Sequence, residues 1–198
     1  MMVALGKHVP ARVTVDEFLV WDSGDQSGRR WQLIDGEAVA MAPASENRGA
    51  LQGEIGPLVA NHLRAHRPNC RLIVALGIAP RVRANHNFRI PDLDVTCAPA
   101  RDEPMMADPI LLIELLSPSN EAETWNNIWS YATIPSVMEI LAVRATRIEA
   151  ELLCRQPDGT WPAEAQILRA GDRLELESIG LHVDLTAVYE TTTLAERR

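Results

Sequence analysis

The chain contains almost no lysine. Lys7 is the single lysine among 19 basic residues, and all the others are arginines. Arginine can supply positive charge and hydrogen-bond donors, but its pKa above about 12 makes it a poor acid or base in proton transfer. Arginine side chains are therefore almost the only positively charged groups that this chain can bring to a functional site.

Cysteine is also scarce. Cys70, Cys97 and Cys154 are widely spaced and odd in number, and no CxxC pair is present that could hold zinc or carry out redox chemistry. This pattern predicts reduced, mostly buried thiols, and a reduced chain is typical of the cytoplasm.

Long hydrophobic runs are missing as well. The longest, from Ile110 to Leu116, is interrupted by Glu114 and is far too short to span a bilayer. The Met-Met start lacks a basic segment followed by an apolar stretch, so we expect neither a membrane protein nor an exported one. A length of 198 residues suits one domain, 1–198, with a sizeable hydrophobic core.

Several catalytic motifs are absent. No glycine-rich phosphate loop occurs, and Ser117 and Ser119 lack the G-x-S-x-G context of a nucleophilic serine. His62 and His66 are spaced as a metal-binding pair, but no HExxH glutamate accompanies them, which favours a solvated helix face. Trp125 and Trp129 are four residues apart and predict a helix face buried against a sheet.

The net charge of −8 argues against a protein that coats nucleic acid through bulk electrostatics. A local basic groove remains compatible with this charge, although scattered, solvated arginines are the simpler interpretation. The arginines that could form such a groove gather at positions 64, 67, 71, 81, 83 and 89.

Local signals predict a mixed α/β order. Thr14-Val-Asp-Glu17 is a capping box that begins a helix from about 15 to 22, and the Asp35-Gly36 turn between apolar runs predicts a hairpin. Ser45 is a plausible cap for a helix that ends near His66. Further predicted elements are strands at 71–76, 78–82, 88–97, 110–116 and 137–144, a helix at 121–131, antiparallel strands at 147–154, 165–168 and 173–176, and a helical piece at 185–189. This order predicts helical layers around a mixed sheet.

Acidic residues interrupt two of these strands. Asp92 and Asp94 lie in RIPDLDV, residues 89–95, and Glu114 lies in DPILLIELLSPSN, residues 108–120. A carboxylate in a buried strand costs several kcal/mol unless it is paired, protonated or bound to a cation. Asp92 and Glu114 on adjacent strands would lie about 4.8 Å apart and suit a shared Mg²⁺ or Mn²⁺. For Asp94 we expect a surface or hydrogen-bonded position.

The sequence resembles the Uma family of putative restriction endonucleases, within the PD-(D/E)XK nuclease superfamily. The resemblance covers about residues 14 to 190, and its motifs are Gln32-Leu-Ile-Asp-Gly-Glu37, Met41-Ala-Pro43, Arg89-Ile-Pro-Asp92, Ile113-Glu-Leu-Leu-Ser-Pro-Ser119 and Pro135-Ser-Val-Met-Glu-Ile-Leu-Ala-Val143. It implies an αβββαβ core with a mixed central sheet, an N-terminal hairpin and C-terminal antiparallel additions. It also implies a metal-dependent DNA endonuclease that acts as a homodimer.

The resemblance assigns roles to individual residues. Asp92 and Glu114 would be the metal ligands, and a third acid would be either Glu37 from the hairpin or Glu54 from the long helix. In the superfamily a lysine two residues past the second acid orients the attacking water, but that position here is Leu116.

The usual cation is missing from other places as well. Many Uma sequences carry the lysine in the following helix, in a D-x-x-x-K-like stretch, and the corresponding residues 121–128 contain none. A histidine common before the first glycine of the long helix is Arg48 here. We therefore expect Arg48, then Arg81 or an asparagine of the 126–127 pair, to replace the lysine; the alternative is a catalytically silent module that binds DNA or a protein.

Overall fold

The computed structural model describes residues 12–195, so Lys7 and the Met-Met start lie outside the described part. No helix within residues 12–195 is long and apolar enough to cross a membrane. The α-helices are α1 (Val15–Leu19), α2 (Glu46–His66) and α3 (Glu121–Tyr131). The strands are β1 (Trp31–Ile34), β2 (Glu37–Ala40), β3 (Arg71–Val74), β4 (Leu93–Thr96), β5 (Pro109–Leu116), β6 (Glu139–Arg144), β7 (Glu149–Cys154), β8 (Gln166–Arg169), β9 (Arg173–Leu176) and β10 (Leu181–Asp184), and 3₁₀ helices cover Ala84–His86 and Leu185–Tyr189.

Six strands form the central sheet in the order β3-β4-β5-β6-β7-β8. Only the β5–β6 pair of this sheet is parallel, and the connection between these two strands contains α3. The succession α2-β3-β4-β5-α3-β6 is the αβββαβ core, which confirms the predicted fold class.

The two long helices cover opposite faces of the sheet. On one face, α2 buries Leu51, Ile55 and Val59 against β4 and β5, together with the C-terminal hairpin β9–β10. On the other face, α3 buries Ile128 and Tyr131 against β5 and β6. Strand alternation sends successive side chains of β5 to these two faces, so Glu114 points toward the α3 side.

The N-terminal hairpin β1–β2 packs at the edge of this core through a third apolar cluster. Leu33 of β1 pairs with Phe88, and Phe18 of α1 packs against the same ring. Gly77 is required beneath this ring, because a Cβ at that position would lie 1.8 Å from the Phe88 Cζ atom. The cluster fixes Gln32, the neighbour of Leu33, beside helix α3.

Several predicted elements differ from the structure. The predicted strand at 78–82 is a loop in which Ile78 makes a single bridge to Arg89, since Pro80 has no amide hydrogen for a ladder. The predicted strand at 88–97 shortens to β4 because Pro91 interrupts it. Helix α1 ends at Leu19 rather than near residue 22, and β10 was not predicted.

The expectation of reduced, mostly buried cysteines is wrong for this structure. Cys70 and Cys97 form a disulfide, and Cys154 is a free, exposed thiol. The reason lies in the sheet register: Arg71 pairs with Thr96 in the antiparallel β3–β4 ladder, so the residues just outside the ladder meet each other. That register cannot be inferred from the cysteine spacing alone.

Candidate active site

The structure brings Asp92 and Glu114 together at the boundary of β4 and β5. Leu93 pairs with Ile113 in an antiparallel ladder, so the two acids occupy the next positions of the register. Both are buried, with 8% of Asp92 and 3% of Glu114 exposed. Burial, followed by the charge of Asp92, raises the pKa of Glu114 well above its ordinary value.

Arg48 is the cation of this pair. It lies in the first turn of α2, and its Nη2 donates to Asp92 Oδ1 at 2.7 Å. The second Asp92 oxygen accepts from the Leu115 amide at 2.8 Å, and the Asp92 backbone carbonyl accepts from Gln52 Nε2 at 3.1 Å. The charge of Arg48 also acts to lower the pKa of Glu114, so the guanidinium serves both acids.

Tyr131 holds the second acid and was not recognised as a site residue from the sequence. Its hydroxyl donates to Glu114 Oε1 at 2.6 Å, and the tyrosine is fully buried. This hydrogen bond acts to lower the pKa of Glu114, while burial and the nearby carboxylate raise the pKa of Tyr131 itself. The sequence contained only a weak signal for this role. Tyr131 is a polar aromatic residue at the end of a helix that otherwise packs on apolar strands.

A cluster of three polar side chains lies beside Glu114, between the hairpin β1–β2 and α3. Gln32 donates to Glu123 and accepts from Asn127 Nδ2 at 3.4 Å. These residues, Glu114 and Arg48 line a cavity of about 20 Å³, which has room for a water or an ion. The buried Oδ1 of Asn127 has no hydrogen-bond partner among the described residues.

The donor set fits a hard divalent cation. Asp92 and Glu114 offer carboxylate oxygens, and an amide oxygen without a partner lies nearby on Asn127. Oxygen-only ligands are the kind that Mg²⁺ and Mn²⁺ prefer. The exposed group Glu175, Glu177 and His182 on the β9–β10 hairpin also has ligand spacing, but exposed acidic groups of this kind are common without a metal.

The other residues predicted for the site lie elsewhere. Glu37 is exposed at the start of β2, and Glu54 is half-buried on α2. Within residues 12–195 neither lines a cavity at Asp92 or Glu114, and the third acid there is Glu123. Arg81 is exposed in a loop, where its amide donates to Thr133 Oγ1 at 2.9 Å.

Asp94 differs from expectation. It is fully buried on β4, and neither of its oxygens has a hydrogen-bond partner within residues 12–195. Burial raises its pKa to about 8, so the carboxyl is mainly protonated at neutral pH.

The arginines between positions 64 and 89 do not form one basic surface. Arg67 donates to the carbonyls of Ser178 and Ile179, and Arg71 donates to those of Ala98 and Pro99. Arg83 pairs with Asp35, and Arg89 is buried. Within residues 12–195, four of the six arginines of this segment are thus bonded, paired or buried, and the exposed Arg64 and Arg81 line neither cavity beside the acids.

A larger groove of about 490 Å³ opens beside Asp92 instead. It lies between the loop before β1, the segment after β2 and the start of α2. Its lining residues are Ser27, Gly28, Arg29, Arg30, Met41, Ala42, Pro43, Ala44, Arg48, Gln52 and Asp92.

Comparisons with known proteins place this geometry in context. The chain is 30% identical over 194 residues to an uncharacterized protein of Synechocystis sp. (strain ATCC 27184 / PCC 6803 / Kazusa), covering 95% of this chain and 97% of that protein. The crystal structure of a putative nuclease belonging to DUF820 from Anabaena variabilis ATCC 29413 has the same fold. The TM-score is 0.74 at 16% identity, over 90% of this chain and 98% of that one.

A family model settles the relationship that the motifs indicated. The model for Uma2, described as putative restriction endonuclease, matches residues 15–187. The matched range contains all of the residues described above around Asp92 and Glu114, and it extends over most of the described chain. This chain therefore belongs to the Uma2 family of putative restriction endonucleases.

Proposed function

We propose that the protein is a metal-dependent endonuclease that hydrolyses phosphodiester bonds in DNA. The observation that supports this proposal best is the buried Asp92–Glu114 pair, held at adjacent register positions of β4 and β5 beside a small polar cavity. Burying two carboxylates side by side destabilises the fold, and a shared divalent cation would offset their repulsion and lost hydration.

Asp92 and Glu114 would hold Mg²⁺ or Mn²⁺. When bound, such an ion supplies Lewis-acid polarisation of a phosphoryl oxygen and lowers the pKa of a coordinated water. The chain's own residues prepare this site: Tyr131 orients Glu114, and the Leu115 amide with Arg48 orients Asp92. Glu123, which lines the small cavity together with Glu114, would be the third carboxylate of the site, rather than Glu37 or Glu54.

Arg48 would supply the positive charge that family members take from lysine. Its guanidinium lies at the acids rather than on the protein surface, with 7% of the residue exposed. Donors near the developing charge of a phosphoryl transfer lower the barrier without any proton transfer, so the high pKa of arginine is no obstacle in this role.

A catalytically silent module that binds DNA or a protein partner is the second candidate. The observation that favours it is the hydrogen bonding of Asp92, both of whose oxygens already accept from groups of the protein. In addition, Asn127 stands in the small cavity where a lysine of the 121–128 stretch was expected, and Arg48 is the single cation among the residues that line it.

Cleavage of supercoiled plasmid in the presence of Mn²⁺ separates the two candidates. Wild type should nick or linearise the plasmid, and Glu114→Gln should be inactive. Arg48→Ala should lower the rate about 10²-fold or more. Arg81→Ala is the matched control, because Arg81 lies outside both cavities, and it should retain the rate. Absence of cleavage by wild type with any divalent metal would leave the silent module, and activity that survives in Glu114→Gln would indicate contamination.

A homodimer belongs to the same proposal, because cutting both strands of a duplex calls for two active sites. Strand β8 is the last strand of the described sheet, and Ile167 on it is 48% exposed. Trp129, which the sequence predicted to be buried, is also 48% exposed and lines a groove of about 310 Å³ with Ile167. Sedimentation should show a dimer at micromolar concentration that Ile167→Glu disrupts; a monomer in wild type would argue against this assembly.

We propose the cytoplasm as the compartment, since the substrate would be DNA. The Cys70–Cys97 bond is unusual for that compartment, where thiols are usually kept reduced. Mass spectrometry of protein alkylated during cell lysis measures the state of this pair directly. Cell fractionation then tests the location itself.

A further inference from the structure

The groove beside Asp92 combines an uncompensated positive charge with an opening onto one acid of the pair, Asp92. Arg29, Arg30 and Arg48 line it, and Asp92 is the single acid among its lining residues. That acid is already paired with Arg48, so the charges of Arg29 and Arg30 are left over.

Both of these arginines are available to a ligand. They are exposed in the loop before β1, and neither forms an ion pair within 4 Å with any residue of the described range 12–195. Asp25 is a carboxylate influenced by Arg29: its pKa is lowered first by hydrogen bonds from Ser27 and to a smaller extent by the charge of that arginine. Asp25 is itself exposed and does not line the groove.

The opposite wall of the groove has the same electrostatic sign. Pro43 and Ala44 lead directly into α2, a helix of 21 residues, whose N-terminus carries a partial positive charge. Ser45 caps the Arg48 amide, and Gln52 on the next turn presents its side chain at the groove. Glu46, the acid in the first turn of α2, does not line the groove, so an anionic ligand there meets the helix N-terminus on one wall and the two arginines on the other.

Positive charge that is not offset by acids is scarce on the rest of this acidic molecule. With a net charge of −8, most of the surface repels a polyanion, so binding must be concentrated where arginines are not offset by acids. The arginines at 67, 71, 83 and 89 are bonded to carbonyls, paired or buried, which leaves them less available to phosphates. Arg64 and Arg81 are exposed, but they do not line the groove beside Asp92.

We propose that this groove binds the phosphodiester backbone of one DNA strand, with Arg29 and Arg30 contacting phosphates next to the one presented to Asp92 and Glu114. This inference rests on the proposed function and deepens it, since it assigns the path of the substrate strand. The sequence had directed attention to residues 64–89, whereas the fold brings the arginines of the 27–30 loop to the acids.

Fluorescence anisotropy with a short labelled DNA duplex in EDTA tests the groove without cleavage. Arg29→Ala/Arg30→Ala should weaken binding about 10-fold or more at low salt and reduce the slope of log K against log salt by about two. Arg64→Ala/Arg173→Ala is the matched control, because it removes the same charge from exposed positions outside the groove. Arg29→Lys/Arg30→Lys keeps the charge and should restore most of the affinity and the slope.

The proposal is overturned if wild type binds no DNA, or if the two alanine doubles bind equally well. It is also overturned if Arg29→Lys/Arg30→Lys binds as weakly as Arg29→Ala/Arg30→Ala, because that result would indicate loop packing rather than charge. These outcomes are separate from the nuclease test. Groove-dependent binding with no cleavage supports the groove in a silent module, and cleavage with groove-independent binding removes the groove alone. Thermal melting of each variant verifies that the fold is intact.

Discussion

Arg48 and Asp92 form a buried ion pair, with Nη2 2.7 Å from Oδ1 and with 8% and 10% of the two side chains exposed. A buried pair of this kind is stable only while both partners are present. Because Asp92 is next to Glu114 in the register, Arg48 is also the cation that offsets the acidic pair. A divalent ion at this pair must share Asp92 with the guanidinium.

Metal should stabilise the folded protein through Asp92. Ligand that binds only the native state adds about 2.7 kcal/mol to the free energy of unfolding at 100 times its dissociation constant. Urea unfolding with and without Mn²⁺ should show this gain in wild type and lose it in Asp92→Asn. Glu37→Gln is the control: it removes an exposed carboxylate outside both cavities and should keep the full response. An unchanged response in Asp92→Asn would remove Asp92 from the metal site.

Arg48→Met should make the fold more dependent on metal. Without metal, the variant leaves Asp92 buried and unpaired beside Glu114, which should lower the free energy of unfolding by about 3–5 kcal/mol. Mn²⁺ should recover a larger increment than in wild type, because the ion then replaces the missing positive charge. The same unfolding series measures both quantities. A response to Mn²⁺ equal to or smaller than that of wild type would contradict competition between the guanidinium and the ion.

Tyr131→Phe should shift metal binding to higher pH. The hydroxyl hydrogen bond favours ionised Glu114, so its loss raises the pKa of that acid further and leaves a buried acceptor unsatisfied, at about 1–3 kcal/mol. Calorimetric titration with Mn²⁺ across pH measures the shift. Tyr189→Phe is the control, since Tyr189 is equally buried but donates to the carbonyls of Arg144 and Glu149. It should cost stability without moving the pH profile, and an identical profile for the two variants would argue against a specific role of Tyr131.

Asp94 should make the protein less stable as pH rises. Its pKa is about 8 in the fold and about 3.9 in the unfolded chain, so the native state binds the proton more tightly between those values. The stabilisation is fully present below about pH 4 and is lost as pH rises through 8, by up to about 1.4 kcal/mol per pH unit. Asp94→Asn does not titrate there, so its stability relative to wild type should grow across this window in urea unfolding. A difference that stays constant with pH would show that Asp94 does not titrate in that range.

The parts of the fold that were predictable from sequence depend on neighbouring residues. The capping box at Thr14 and Glu17, the Asp35-Gly36 hairpin and the Ser45 cap are all present, because each signal involves residues at most a few positions apart. The short hairpin strand β10 was missed, since its turn at Gly180 carries a weaker signal.

The parts of the site that were not predictable depend on contacts between distant residues. Gln32 and Glu123 are 91 positions apart, and Glu114 and Tyr131 are 17 apart. The family resemblance indicated the two acids and Arg48, but it did not indicate that Tyr131 bonds Glu114 or that Glu123 and Gln32 lie beside it. Those partners follow from strand register and helix rotation, and neither can be read from residue types alone.

Asn127 occupies a position in the small cavity where a lysine could replace the missing cation. This asparagine lies in the 121–128 stretch where the family resemblance implied a lysine, and it lines the small cavity with Glu114. It is 5% exposed, and its Oδ1 has no hydrogen-bond partner among the described residues. A lysine there would place an ammonium group near Glu114 and Glu123, where two acids can hold its charge.

Asn127→Lys should therefore increase the rate of plasmid cleavage with Mn²⁺ by about 10-fold, because it adds a second cation to the cavity beside Arg48. Asn126→Lys is the matched control: it adds the same charge one position away, on the exposed side of α3, and should leave the rate near that of wild type. Asn127→Gln tests whether loss of the asparagine alone has an effect. Equal rates in the two lysine variants would attribute any gain to general attraction of DNA. A folded Asn127→Lys variant with no gain over wild type would mean that Arg48 already supplies the charge that the reaction needs.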